Sequence, residues 1–170
     1  MKIVLFLMMV LSGATAFAQT PAYDISKDPK NDEVTFRGPL TFSDLEKEST
    51  FTWLKSGKDQ YKPDEKAVAF LNQKFATGNY SFVVFLGTWC SDSHDLVPRL
   101  KKILELLNFP LAKVTMYGTD RDKTTKNGEE KQYGITLVPT IILFNGEKEL
   151  GRITETAQKS VEEDLMKMVQ

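Results

Sequence analysis

The sequence predicts an α/β fold in which helices flank a central mixed β-sheet, preceded by an N-terminal extension. Three observations lead to this fold class. Residues 82–86 form a continuous apolar run, typical of a strand that is buried on both faces of a mainly parallel sheet. Apolar residues at helical spacing follow between Leu96 and Leu107. Farther along the chain, two strand-like segments flank Asn145-Gly146, a strong β-hairpin signal.

The composition is that of an ordinary globular protein. Of the 170 residues, 41% are hydrophobic and 26% are charged, and the net charge is −1. This balance gives no sign of the clustered basic excess of a nucleic-acid-binding protein. A single cysteine and a single histidine exclude an internal disulfide and a four-ligand zinc site built from these residue types. We therefore predict no metal, no cofactor and no nucleic-acid partner.

The first 18 residues have the order of a secretory signal peptide. Lys2 precedes a short apolar run at 3–11, and small residues follow up to Ala16-Phe17-Ala18. The run is shorter than the ~20 residues that a bilayer span requires. We expect a soluble mature protein that is periplasmic or secreted and has no further membrane span. An uncleaved N-terminal anchor is the alternative.

Residues 19–61 predict an extension that precedes the main domain. Residues 19–32 are polar and contain two prolines, which favours a mobile arm. Residues 34–40 predict an edge strand, stopped by Gly38-Pro39. Residues 43–55 have the apolar spacing of one helix.

The main domain, residues 62–170, begins with a helix. Pro63 lies at its start, where the missing N–H costs nothing, and Gly78-Asn79 ends it. The helix after the central strand contains Pro98, whose ring should kink it.

The second half of this domain predicts a loop, a hairpin and a last helix. The charged stretch 120–131 predicts a solvated loop that leads into a short helix near 129–133. A capping box at 160–163 opens the last helix. The predicted strands of the domain lie at 82–86, 111–117, 141–144 and 149–154.

Trp89 and Cys90 lie between the central strand and the helix that follows it. Functional sites in open α/β sheets lie at the carboxyl ends of the strands, so this junction is the predicted site. A lone cysteine in a secreted protein is unusual, because oxidising compartments favour paired cysteines. Cys90 is therefore a free thiol, a mixed disulfide or one half of an intermolecular bridge.

The residues around Cys90 resemble the thioredoxin superfamily. The match comprises residues 85–93 (Phe-Leu-Gly-Thr-Trp-Cys-Ser-Asp-Ser), Pro98 eight residues after the cysteine, and Val138-Pro139-Thr140. In that family a Trp-Cys-x-x-Cys motif opens a helix, a kinking proline follows eight residues later, and a cis-proline from a distant loop faces the thiol. The resemblance covers about residues 63–170, implies a thioredoxin-like fold and is nearest to bacterial exported thioredoxin-like proteins.

The resemblance also implies roles for the matching residues. Cys90 is the expected nucleophile. Ser93 takes the place of the second cysteine, and its hydroxyl is expected either to donate a hydrogen bond to the thiolate or to cap the helix. The remaining matching residues are expected to shape a groove for an extended client peptide. These groove residues are Trp89, Val138, Pro139 and Thr140.

Besides Ser93, two positions depart from the family pattern. The buried acid of many thioredoxins, six residues before the first cysteine, is Val84 here, and its lysine partner aligns with Met116. Losing both together is self-consistent, because an unpaired buried charge would be costly. All three departures weaken the case for ordinary dithiol reduction.

A site with one thiol restricts the chemistry. The N–H groups and the dipole of the helix N-terminus favour a thiolate at Cys90. His94 would add to this effect when protonated, although a plain surface position is its alternative, and Asp92 would oppose it. The thiolate can attack a disulfide, but Ser93 cannot complete the exchange, so an external thiol must release the client. The expected activity is monothiol thiol–disulfide exchange or isomerisation on client proteins that carry cysteines or disulfides.

Two alternatives stay open at the level of the sequence, so the enzyme assignment does too. The first is a non-catalytic thioredoxin-fold binding or chaperone-like module, which the residues Ser93, Val84 and Met116 motivate. The second is a homodimer linked by a disulfide through Cys90.

Overall fold

The computed structural model describes residues 22–170, and the predicted signal peptide lies outside them. Within these residues, six strands form one mixed sheet and helices pack against it, which confirms the predicted fold class. The strands are β1 (Asp24–Lys27), β2 (Val34–Leu40), β3 (Tyr80–Leu86), β4 (Val114–Gly118), β5 (Thr140–Asn145) and β6 (Lys148–Thr154). The helices are α1 (Phe42–Lys47), α2 (Thr52–Gln60), α3 (Glu65–Phe75), α4 (Ser91–Leu106), α5 (Glu129–Gln132) and α6 (Val161–Met168), and a 3₁₀ turn (Leu111–Lys113) precedes β4.

The central strand is β3, as the apolar run predicts. The order across the sheet is β1-β2-β4-β3-β5-β6. β3 runs parallel to β4 and antiparallel to β5, so α4 makes the crossover between the two parallel strands. The predicted hairpin at Asn145-Gly146 is confirmed by the antiparallel pair β5–β6.

The two faces of the sheet are covered differently. Phe82, Val84 and Leu86 of β3 face the larger core, to which the helices α1–α4 and α6 contribute. The alternate residues Val83 and Phe85 pack beneath the segment 133–139 in a smaller core. Because side chains alternate along a strand, β3 anchors both cores and ends between them at the predicted site.

The extension is part of the sheet. β2 pairs antiparallel with β4, and β1 pairs with the other side of β2. The prediction of a mobile arm at 19–32 is therefore wrong for β1, whose exposed residues follow no apolar alternation that would reveal a strand. The predicted strand 34–40 is confirmed, but it is an inner strand. It continues through Gly38-Pro39, because Gly38 adopts a φ of +121° that other residues rarely tolerate.

The predicted single helix at 43–55 is two helices. Thr41 and Asp44 form a capping box that starts α1. The chain becomes extended at Glu48, whose carboxylate accepts hydrogen bonds from the N–H and hydroxyl of Thr50. The apolar spacing misled the prediction because the buried residues on both sides of the break face the same core.

α2 packs closely along α4. A β-carbon added to Gly57 would lie 2.9 Å from Cβ of Pro98, so the helices approach there through a residue without a side chain. Lys58 pairs with Glu105 at 3.0 Å across the same contact. The division between extension and main domain at residues 61/62 stays a sequence-based prediction, but both parts share one sheet and one core.

Replacing Gly57 by valine should destabilise the protein, because the new side chain would overlap the ring of Pro98. Forcing extra volume into a packed contact costs about 1–3 kcal/mol of unfolding free energy. Ser56→Val is the matched control, since Ser56 is exposed on the same helix. Urea unfolding of both variants measures the difference, and equal stabilities would refute a close α2–α4 contact.

Candidate thiol site

Cys90 is the N-cap residue of α4 and is half-buried. Its backbone is extended, and the helix begins at the next residue. The Sγ atom lies 3.5 Å from the carbonyl oxygen of Val138, to which the thiol donates. The peptide bond between Val138 and Pro139 is cis. The fold thus brings together a cysteine and a proline turn that lie 48 residues apart in the chain.

The hydrogen bond to Val138 requires the protonated form of the Cys90 thiol. A carbonyl oxygen accepts a hydrogen from S–H but offers none to a thiolate. The Cys90 side chain receives no capping hydrogen bond from the first turn of α4. The sulfur is therefore a donor to the proline turn in this arrangement, and it must leave Val138 before it can attack as a thiolate.

Ser93 makes neither of the two hydrogen bonds expected from the sequence. It is fully buried in the first turn of α4, and the N-cap position belongs to Cys90, three residues earlier. Its Oγ atom accepts a hydrogen bond from the backbone N–H of Gly87 at 3.1 Å. Ser93 therefore fixes the loop that carries Cys90.

Trp89 forms a wall of the site. Its indole Nε1 donates to the carbonyl oxygen of Thr119 at 2.8 Å. One edge of the ring covers Gly87, where an added β-carbon would lie 2.6 Å from the indole. The guanidinium carbon of Arg121 lies 4.7 Å from the ring centroid. The ring is thus held by a hydrogen bond, a close backbone contact and a cation.

Thr88 ties the loop to β2. Its buried hydroxyl accepts a hydrogen bond from the N–H of Phe36 at 3.1 Å and donates one to the carbonyl oxygen of Val34 at 3.0 Å. One side chain therefore satisfies two backbone groups of β2, as a neighbouring strand would. Nothing in the sequence marks this role of Thr88, although the residue lies within the matching motif.

His94 is half-buried, not a plain surface residue. Its Nε2 atom lies 2.7 Å from the carbonyl oxygen of Thr88, and because a carbonyl only accepts, Nε2 carries the hydrogen. Trp53 of α2 stacks on the imidazole, with ring centroids 4.4 Å apart and planes inclined by 16°. A cavity of about 320 Å³, which these three residues help to line, lies beside them. The described contacts assign His94 to holding the loop.

The proline turn is braced by Thr140. Its hydroxyl donates to the carbonyl oxygen of Leu137 at 2.8 Å, and Val138, Pro139 and Thr140 are all buried. Leu137 is 39% exposed at the edge of the turn. The structure therefore places Thr140 behind the expected groove and adds Leu137 at its edge, which the sequence analysis missed.

Val84 and Met116 fill the position of the absent acid–lysine pair. They are directly opposite each other in the β3–β4 register, and both are fully buried. Ile141 flanks Val84 from β5. Met116 thus lies opposite Val84 in the sheet, as expected for the residue that aligns with the missing lysine. Apolar side chains take the place of the acid and the lysine.

Asp28 and Arg121 form a buried ion pair beside Trp89. Arg121 Nε donates to Asp28 Oδ2 at 2.6 Å, and the aspartate side chain is 1% exposed. The hydrogen bond from Arg121 lowers the pKa of Asp28; burial opposes this, and the N–H groups of Lys30 and Asn31 reinforce it. The predicted solvated loop at 120–131 is therefore partly buried. Asp28-Pro29 is a turn signal in the sequence, but nothing there pairs it with Arg121.

Residues 22–170 show neither a metal-ligand cluster nor a membrane-spanning helix. No three His, Cys, Asp or Glu side chains in this range come together as ligands for one metal ion. No helix in the same range is both long and apolar enough to cross a bilayer.

These features define a class of protein. A cysteine at the start of the crossover helix, a cis-proline turn against its sulfur and a mixed sheet of this order are those of a thioredoxin-fold protein. The thioredoxin family model matches residues 66–170, more than half of the chain, and the chain belongs to that family. Membership supports a role of the thiol–disulfide oxidoreductase type. A search of curated proteins found no match.

Solved structures show the same fold at low sequence identity. A protein of unknown function from Pseudomonas aeruginosa has a TM-score of 0.54 and 13% identity, over 74% of this chain and 76% of that chain. An HIV epitope scaffold has a TM-score of 0.52 and 12% identity, over 77% and 82%. Thioredoxin O2 from Arabidopsis thaliana, in its oxidised state, has a TM-score of 0.40 and 20% identity, over 61% and 90%. The first two likenesses show the fold alone, and the third, with a TM-score below 0.5, adds nothing to them.

Thr88→Val should destabilise the protein, because it leaves the N–H of Phe36 and the carbonyl of Val34 without their partner. Each buried polar group left unsatisfied costs about 1–3 kcal/mol. Thr88→Ser keeps the hydroxyl and is the control. Urea unfolding of the two variants checks this, and a valine variant as stable as the serine variant would contradict the role of the hydroxyl.

The ion pair of Asp28 should make stability fall in acid. Its folded pKa lies below the unfolded value of about 3.9, so the unfolded chain takes up the proton first as the pH falls. The stabilisation is therefore complete above about pH 5 and is lost as the pH falls through the folded pKa. Asp28→Asn should be less stable at pH 7, with a difference from the wild type that shrinks towards pH 3. Urea unfolding at a series of pH values measures this, and a constant difference would contradict it.

Proposed function

We propose that the protein exchanges or isomerises disulfides of client proteins through a single thiol, with Cys90 as the nucleophile. The observation that carries this proposal is the half-buried Cys90 at the start of α4, whose sulfur lies 3.5 Å from the carbonyl oxygen next to the cis-proline. This position leaves the sulfur reachable and holds it against a turn that can align an extended peptide. The chain has no other cysteine to contribute.

The first step is attack by the Cys90 thiolate on one sulfur of a client disulfide. A new bond forms between Cys90 Sγ and that sulfur, and the client S–S bond breaks. The other client sulfur leaves as a thiolate and takes a proton from solvent. No net oxidation or reduction of the pair has occurred, because one disulfide has replaced another.

The second step needs a thiol from outside the chain, because Ser93 supplies only a hydroxyl. A low-molecular-weight thiol or a client cysteine attacks the mixed disulfide and releases Cys90. When the attacking sulfur belongs to the same client, the result is isomerisation. When it is a separate thiol, the client leaves with that thiol attached or, after a second attack, reduced.

The proline turn supplies the binding surface for a client. Among residues 22–170, the carbonyl of Val138 accepts only the weak S–H of Cys90, so the N–H of an extended peptide can replace this donor. That replacement frees the sulfur at the moment when a client lies beside it. Exposed Leu137, the residue before Val138, and the half-buried ring of Trp89, the residue before Cys90, provide apolar contact near this carbonyl.

We place this activity outside the cytoplasm, in the periplasm or after secretion. The support is the order of charged, apolar and small residues at 1–18, which is that of a cleaved signal peptide. An oxidising compartment also provides the client disulfides that the first step consumes.

A second candidate function is a binding module without thiol chemistry. The observations that favour it are the Cys90 sulfur acting as a donor to Val138 and the apolar pair Val84 and Met116 in the family's acid–lysine position. Cys90→Ser separates the two functions. Client capture that survives this substitution in full would favour the binding module.

Incubation with an excess of a disulfide-containing peptide should add the mass of one peptide thiol to the wild type and none to Cys90→Ser. Intact mass spectrometry measures the adduct, and a reducing step should remove it. A wild-type mass equal to twice the monomer under non-reducing conditions would instead indicate the disulfide-linked homodimer. An unmodified wild type would contradict the proposal.

Ser93→Cys should convert the site into one that reduces disulfides by itself. The second sulfur can attack the mixed disulfide within the molecule, so both electrons come from one chain. Insulin reduction in the presence of dithiothreitol measures this, with Ser93→Ala as the control for loss of the hydrogen bond to Gly87. A cysteine variant no faster than the alanine variant would show that Ser93 does not lie within reach of the Cys90 sulfur.

A further inference from the structure

We propose that Arg121 forms a carboxylate-binding subsite beside the thiol. It would favour disulfide partners that carry an acidic group close to the reacting sulfur. This inference rests on the proposed function, since it names the kind of client that the Cys90 site prefers.

Within residues 22–170, the hydrogen bonds of the Arg121 side chain go to one partner only, Asp28. Its Nε atom donates to Asp28 Oδ2, and the other oxygen of Asp28 accepts the N–H groups of Lys30 and Asn31. The buried carboxylate is therefore fully engaged. It binds the Nε atom of Arg121 and leaves the two terminal nitrogens to other partners.

The terminal nitrogens of Arg121 are available to bind a ligand. Its guanidinium carbon lies over the ring of Trp89, the residue before Cys90. The Arg121 side chain is 30% exposed, and within residues 22–170 its two terminal nitrogens have no hydrogen-bond partner. A guanidinium that rests on an aromatic ring keeps its N–H edge open, because stacking uses only the face.

The chemistry of this edge favours a carboxylate. Parallel N–H groups of a guanidinium match the two oxygens of a carboxylate, and such charge-assisted pairs are stronger than neutral hydrogen bonds. Asp28 and Trp89 hold the group in advance, so little side-chain freedom is lost on binding. The nearby Asp120 already accepts hydrogen bonds from Thr124 and lies 3.4 Å from Arg37.

A purely structural role for Arg121 is the competing explanation. In that case the arginine only fastens the turn after β1 to the loop that carries Trp89. Loss of the arginine would then change stability and affect all reaction partners alike. A preference for acidic partners that depends on Arg121 is the property that separates the two roles.

The test uses two synthetic peptides, each with one cysteine joined in a disulfide to pyridine-2-thiol. Glutamate flanks the cysteine on both sides in one peptide, and glutamine does so in the other. Attack by Cys90 on the peptide sulfur forms the mixed disulfide and releases pyridine-2-thiolate, which takes a proton and is followed by absorbance. The measured quantity is the rate ratio of the acidic peptide to the neutral peptide.

We expect the wild type to react faster with the acidic peptide, and Arg121→Gln to lower the rate ratio by about fivefold, the size of one exposed charge pair. The preference should also weaken at high salt. Arg99→Gln is the matched control, because Arg99 likewise lies over an aromatic ring, Tyr61, and pairs with Asp95. It should keep the wild-type ratio.

A second variant protects the test against misfolding. Arg121→Gln alone leaves the buried Asp28 without its cation, so the double variant Asp28→Asn, Arg121→Gln is measured in parallel. Far-ultraviolet circular dichroism confirms that each variant is folded. A wild type without preference, or a folded variant that keeps the wild-type ratio, overturns the carboxylate subsite.

Failure of the proposed function gives a different result. In that case Cys90 reacts with neither peptide, and the ratio is read from alkylation by iodoacetate against iodoacetamide, which needs no disulfide exchange. A ratio for these two reagents that falls in the Arg121 variants supports the subsite. An unchanged ratio overturns it.

Discussion

The position of the Cys90 sulfur depends on the two hydrogen bonds of one buried hydroxyl, that of Thr88. This side chain takes the place of a strand beside β2 and so fixes the loop between β3 and α4. Ser93 holds the same loop from the helix side through Gly87, and His94 holds it through the carbonyl of Thr88 itself. The fixed backbone groups are the N–H of Gly87 and the carbonyl of Thr88, which lie three and two residues before Cys90. The thiol therefore has a defined position, although Cys90 lies between a strand and a helix.

The extension is therefore part of the site. The family match covers 66–170 and includes the thiol, the crossover helix and the proline turn. Several groups that hold the loop from outside come from earlier in the chain. β2 forms hydrogen bonds with the hydroxyl of Thr88, and Trp53 stacks on His94. Asp28 pairs with Arg121, which lies over the indole of Trp89. The contacts of β2, Trp53 and Asp28 thus surround the loop that carries the thiol, and all of these residues precede the part of the chain that the family model matches.

The sequence was sufficient where the signal was local and insufficient where it was not. The apolar run of β3 and the turn at Asn145-Gly146 predicted their elements because burial and turn geometry leave marks within a few residues. β1 has no such mark, since all four of its residues are exposed and only pairing with β2 makes it a strand. The partner of Ser93 was missed for a related reason: a hydroxyl in the first turn of a helix has several acceptors and donors within reach, and the loop conformation decides among them.

The apolar pair at the centre of the sheet, Val84 and Met116, fits a site with a single sulfur. A buried acid opposite a lysine is useful only if a proton must move within the protein interior, and it carries a desolvation cost at all times. In a site with one thiol, the proton of Cys90 can pass directly to solvent, because the sulfur is half-exposed. Val84 and Met116 then remove the cost and keep the packing between β3 and β4. Ser93 in place of the second cysteine and Val84 in place of the acid therefore fit together under the proposed function, in which exchange relies on a thiol from outside the chain.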